Sequence, residues 1–126
     1  MNLEKVIFGF FIILAATLNL GFVYGDPADP QHHHPYEFFA ALVVNLIATV
    51  LKIGDRTQIG AMQLATSLVA VLQLGAAALV WFFASDAAGA RSAPHLVAIV
   101  SLSAGALLAN AISVVLLIIE TTVQRR

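Results

Sequence analysis

Four long stretches of this chain carry no charge or almost none, and each is long enough to cross a bilayer. Val6 to Tyr24 and Ala61 to Ala84 are uncharged, and so is Leu96 to Ile119. The last two would reach about 36 Å as helices, against a hydrocarbon core of about 30 Å, so they should tilt. Tyr36 to Ile53 is shorter, about 27 Å, and its charged ends, Glu37 and Lys52, are drawn toward the headgroups. The spacing predicts an all-α membrane protein, one domain of four transmembrane helices with spans at 6–24, 36–53, 61–84 and 96–119. Composition agrees: 60% of the 126 residues are apolar and only 10% are charged, too few charges to coat a soluble globule. All four prolines fall outside these runs, as expected of a residue that removes a backbone donor.

Charge placement sets an expected orientation. Lys5, Lys52, Arg56, Arg125 and Arg126 fall on one side and only Arg91 on the other. By the positive-inside rule both termini and the middle loop should be cytoplasmic, in a multi-pass protein of a bacterial inner membrane. The opposite side receives Asp26, Asp29, Glu37, Asp86 and all four histidines. Phe22, Tyr24, Tyr36, Phe38, Phe39, Trp81, Phe82 and Phe83 cluster at the outer ends of the first three spans, as an interfacial aromatic belt would. With no cysteine, no disulfide holds the outer loops.

Two alignments suggest an internal parallel repeat of two hairpins. Asn45 to Ile53 can be laid over Asn110 to Ile118, and Leu18-Asn19-Leu20-Gly21 over Leu72-Gln73-Leu74-Gly75.

The spans hold amides rather than ionisable groups. Asn45, Gln73 and Asn110 fall near mid-depth, and no acid or base does. Gln63, Thr66, Ala70, Gln73 and Ala77 share one face of the third span, while Ser101, Gly105, Ala109 and Ser113 form a ridge of small residues on the fourth. A proton-coupled pump needs an ionisable side chain within the bilayer. Small multidrug exporters, of this size and helix number, depend on a carboxylate in the first span; Phe10 to Leu20 offers only Thr17 and Asn19. Neutral amides suit either interhelical hydrogen bonds, worth about 0.6–2 kcal/mol each, or a lining that replaces part of an ion's hydration shell.

Two local resemblances follow. Leu42-Val43-Val44-Asn45-Leu46-Ile47 is similar to the corresponding helix of bacterial fluoride channels, which also have four spans and this length. The family's Arg-containing first helix and its third-helix break are absent, and its oppositely inserted subunits need a weaker charge bias than the one here. The middle loop, Lys52 to Gln58, resembles the Glu-x-Gly-Asp-Lys/Arg-Thr/Ser signature of a cation/proton exchanger family that includes Golgi manganese transporters. Gly54, Asp55, Arg56 and Thr57 match; Lys52 stands where that family has its cation-binding glutamate. Read without either family, Lys52, Asp55, Arg56 and Thr57 form a charged hairpin, a topology marker or else a cytoplasmic gate or docking point.

In the outer loop, His32 and His34 would face the same way on an extended segment and could share a divalent metal, with Asp29 or Glu37 adding an oxygen. No other cofactor is expected. The sequence shows no nucleophile–base pair and no phosphate-cradling loop, so an enzyme is not expected. A net charge of −1 without a basic patch argues against nucleic acid as a partner. The expected partners are the lipid bilayer and either further copies of the chain or a larger membrane complex. Two functions remain: a homo-oligomeric ion channel or passive transport protein with an amide-lined path, and an accessory or scaffold subunit.

Overall fold

A computed structural model describes residues 3–25, 35–83 and 93–124, and those residues form four helices. They are α1 (Leu3–Val23), α2 (Pro35–Lys52), α3 (Gln58–Phe83) and α4 (Ala93–Gln124). All four are long and apolar enough to cross a membrane. Each end has a local cause. Pro35 and Pro94 fall in the first turns of α2 and α4, where a missing N–H costs nothing. Glu37 in the first turn of α2 and Lys52 in its last complement the helix dipole. Gly54, at φ 95°, takes the left-handed conformation that ends α2, and Thr57 caps α3 by accepting from the Gly60 N–H at 2.9 Å. The main departure from the expected spans is α4, which runs five residues past Ile119 and so carries Glu120 inside the helix.

The helices form an antiparallel bundle. The packed pairs are α1 with α2, α2 with α3, α3 with α4 and α4 with α1, the α3–α4 contact being the most extensive. One end gathers the start of α1, the end of α2, the start of α3 and the end of α4; we call it the basic end. The other is the aromatic end.

The inward-facing positions alternate steps of three and four. They are Phe8, Ile12, Ala15, Asn19 and Phe22 on α1, and Phe38, Ala41, Asn45, Ala48 and Lys52 on α2. On α3 they are Gly60, Gln63, Ser67, Ala70, Leu74, Ala77 and Trp81. On α4 the same spacing runs Leu96, Ile99, Ser103, Ala106, Asn110, Ser113 and Glu120, with half-buried Leu117 filling the one gap. Such a seam belongs to left-handed bundles with knobs-into-holes packing. It splits the buried apolar residues in two. A large cluster spans Phe22, Phe38, Leu74, Trp81, Ile99 and Ala106 toward the aromatic end. A small one, Phe8, Ile12 and Ala48, lies toward the basic end.

The aromatic residues divide differently from the expected belt. Tyr24, Tyr36, Phe82 and Phe83 are exposed, as interfacial rings would be. Phe22, Phe38 and Trp81 instead point inward and close the bundle: Trp81 stacks on Phe38 at 5.5 Å between ring centroids, and Phe22 lies 5.0 Å from Phe38. An inward seam position outranks membrane depth in deciding where a ring goes. The shift that lays Asn45 on Asn110 also lays the other inward positions of α2 on those of α4. The corresponding overlay of α1 on α3 misses by one residue, since Asn19 falls inward and Gln73 does not.

Candidate functional site: a polar band closed by a charged cluster

Between the two apolar clusters the core is polar. Asn45, Gln63, Ser67, Asn110 and Ser113 are all fully buried there; Ser103, also fully buried, stands between Ile99 and Ala106 of the large cluster. Relative heights follow from helical rise. Asn45 lies seven residues before Lys52, which meets Phe8, and Asn110 seven before Leu117, which meets Gly9, so both sit roughly 10 Å above those contacts. Gln63 and Ser67 enter the same band from α3. Three helices thus supply neutral polar groups between the two clusters, while α1 contributes Ile12.

These groups do not satisfy one another. Among the described residues, Asn45 Oδ1, Gln63 Oε1 and Nε2, Ser67 Oγ, Gln73 Oε1, Ser103 Oγ, Asn110 Oδ1 and Ser113 Oγ are buried without a hydrogen-bond partner. The bonds that do form run along single helices. Asn45 Nδ2 donates to the Ala41 carbonyl at 2.8 Å, the Thr49 hydroxyl to the Asn45 carbonyl at 2.8 Å, and the Thr66 hydroxyl to the Gln63 carbonyl at 2.9 Å. Asn19 is the exception. With its amide turned so that nitrogen faces the Ser103 carbonyl (3.1 Å) and oxygen the Leu107 N–H (3.2 Å), it ties α1 to α4. A buried polar group left unpaired costs about 1–3 kcal/mol, so eight such atoms in one small bundle are a heavy charge on its stability.

At the basic end the charges close over this band. Lys5 pairs with Glu120, which is 4% exposed, and so joins α1 to α4. Lys52, 6% exposed, folds back with its ammonium 4.2 Å from the centre of the Phe8 ring, a cation–π contact across α1 and α2. Its second partner is Asp55, at 3.4 Å. Asp55 in turn accepts from the Thr57 N–H at 3.0 Å and the Thr57 hydroxyl at 2.8 Å. The Thr57 N–H is the main reason its carboxyl is held below the usual carboxylate range, with the Thr57 hydroxyl and Lys52 adding to the effect. Gly60 is required beside it, because a Cβ there would fall within the Asp55 carboxyl group. Glu4, Lys5, Phe8, Leu51, Lys52 and Asp55 enclose a cavity of about 50 Å³ at this mouth.

The residues singled out in the sequence are distributed unevenly over these features. Asn45, Gln63 and Asn110 share the polar band. Thr66 and Gln73 flank the α3 seam, one residue short of Ser67 and Leu74, and Gln73 lies over Gly105, whose added Cβ would come 2.7 Å from Gln73 Oε1. On α4, Ala109 and Ser113 are buried, Gly105 is half-buried and Ser101 is exposed. The inward line is Ser103, Ala106, Asn110 and Ser113, because the seam follows a mixed three-and-four spacing rather than steps of four. Of the loop, Lys52 is buried and Asp55 and Thr57 shape the turn, while Arg56 is exposed. His32 and His34 lie outside the described residues. Among the described residues no three His, Asp or Glu side chains gather to hold a metal. The sequence reading missed Phe8, Ser67, Ser103 and Glu120; a mixed three-and-four spacing counted back from Asn110 would have found Ser103.

No curated protein and no solved structure matches the chain. A family model does match it, over residues 32–121, which covers α2, α3, most of α4 and with them the polar band and Glu120. The chain therefore belongs to the family described as "Family of unknown function (DUF6394)".

Proposed function

We propose that this protein is a small membrane transport protein that passes its substrate through the interior of its own four-helix bundle, without a chemical step. One observation carries the reading: a band of fully buried amides and hydroxyls, each with at least one polar atom that has no partner among the described residues. Interhelical glue would use those atoms in mutual hydrogen bonds. A permeation path leaves them free, so that they can replace part of a substrate's hydration shell. The aromatic cluster at one end and the Lys5–Glu120 and Lys52–Phe8 contacts at the other close the band, as expected of an occluded form in this reading. Because this path lies within one chain, the reading does not require the homo-oligomer expected from the sequence. We place the protein in a bacterial inner membrane with its basic end cytoplasmic, as the charge bias implies.

The test is flux in proteoliposomes offered sodium, potassium, chloride and small neutral solutes in turn. At least one should cross faster than in empty liposomes, and Gln63→Leu should remove that excess while the protein remains folded. If none of them crosses, the reading fails. A chain that moves nothing and co-purifies with an unrelated membrane subunit would be an accessory protein instead.

A further inference from the structure

We infer that the bundle opens at its basic end by rocking of two hairpins, α1–α2 against α3–α4, with the Lys5–Glu120 pair as the latch. This rests on the permeation reading and names how its path is gated. The hairpins are the tight units. Each packs its own two helices together more extensively than either packs across to the other hairpin. Two interlocks fasten them internally. The Glu37 carboxyl of α2 occupies the space over Gly21 of α1, and the Gln73 amide of α3 the space over Gly105 of α4, so neither glycine has room for a Cβ. The Lys52–Phe8 contact also stays within one hairpin, joining α2 to α1. Across the boundary the band holds less firmly. Asn45 Oδ1 on one side, and Gln63 Oε1, Ser67 Oγ, Asn110 Oδ1 and Ser113 Oγ on the other, form no bond over it.

Topology sets where the boundary parts. The α2–α3 turn joins the hairpins at the basic end, whereas both connections at the aromatic end stay within a hairpin. That turn holds Gly54 at φ 95°, with open space around it, in the place a hinge requires. On the α1–α4 side of the same end, the Lys5–Glu120 pair bridges the boundary. Leu117 over Gly9 meets there too, an apolar contact that parts without losing a hydrogen bond. The far end is held otherwise. Asn19 ties α1 to α4 about 21 Å along α1 from Lys5, and Trp81 of α3 stacks on Phe38 and lies against Phe22. Breaking the Lys5–Glu120 pair therefore releases the α1–α4 corner at the basic end while the aromatic end stays shut, as alternating access requires.

The experiment uses the full chain in lipid nanodiscs, with nitroxide labels on cysteines placed at two exposed positions. Leu3 and Val123 span the boundary; Leu3 and Ile53 lie within one hairpin and serve as the control. Pulsed electron resonance then reads each distance distribution. Glu120→Gln should raise the share of longer Leu3–Val123 separations about tenfold and leave Leu3–Ile53 unchanged, because only the closed state loses a contact. Lys5→Glu combined with Glu120→Lys should restore the wild-type distribution, which a merely damaged fold would not do. Unchanged Leu3–Val123 distances in Glu120→Gln, or equal changes in both pairs, overturn the latch. Flux in liposomes separates the two ideas. If a solute crosses and the distances do not respond, the permeation reading stands and the latch falls. If the distances respond and nothing crosses, the hinge and latch stand and the permeation reading falls.

Discussion

Removing the polar atoms of the band should make the protein more stable, not less. Ser67 and Ser113 are the cleanest positions, since both are fully buried, both hydroxyls lack partners, and alanine leaves nearly the same shape. Each unpaired hydroxyl costs about 1–3 kcal/mol, and alanine also favours the helix slightly. The double variant should therefore gain roughly 2–6 kcal/mol, with the two effects adding if the sites do not share a partner. Interhelical glue predicts the opposite sign, a loss of about 0.6–2 kcal/mol for each bond removed. The assay is reversible unfolding in mixed bicelles, titrating a denaturing detergent and comparing midpoints at constant slope. Stabilised variants should also transport more slowly, because the groups that destabilise the empty bundle are those that meet the substrate. A double variant less stable than the wild type would refute the reasoning.

Three further outcomes follow from the basic end and the α3 turn. Glu120→Ala should cost about 1–3 kcal/mol, below the 3–5 of a fully buried pair because Lys5 can turn to water, and Lys5→Ala in the same chain should recover part of the loss in a double-mutant cycle. Gly60→Ala should destabilise the α2–α3 turn by about 1–2 kcal/mol through its clash with Asp55, whereas Gly75→Ala, with open space around it, should be neutral or stabilising in the same unfolding assay. The Asp55 carboxyl lies below its ordinary value, so its contribution is complete above that value and is lost as pH falls through the lowered one. Acid titration of unfolding should show that loss in the wild type and not in Asp55→Asn.

How much was legible in the sequence depended on which physical signal was strong. The four helices follow from apolar length alone, because a bilayer leaves few other ways to satisfy the backbone. Which face turns inward is a weaker signal in a membrane helix, where lipid-facing and core-facing residues are both apolar. On α3 the polar residues Gln63, Thr66, Ser67 and Gln73 fit two faces one residue apart, and only packing on α2 and α4 selects the one through Ser67, which also carries Gly60 and Trp81. Glu120 was out of reach for a different reason. It stands just past the apolar run of the fourth span, and only the continuation of α4 to Gln124 brings it against Lys5. Phe8 looks like any lipid-facing ring until Lys52 folds over it.

The central claim is that water-borne solutes reach the buried polar band, and the chain's lack of cysteine makes this directly measurable. Single cysteines at Ser67 and Ser113, and at lipid-facing Leu72 as a control, can be exposed to silver ion in intact proteoliposomes. We predict that silver reacts at positions 67 and 113 and stops transport, and that it leaves position 72 and its transport untouched. Reaction at 67 and 113 only after the bundle is unfolded in detergent would contradict the account.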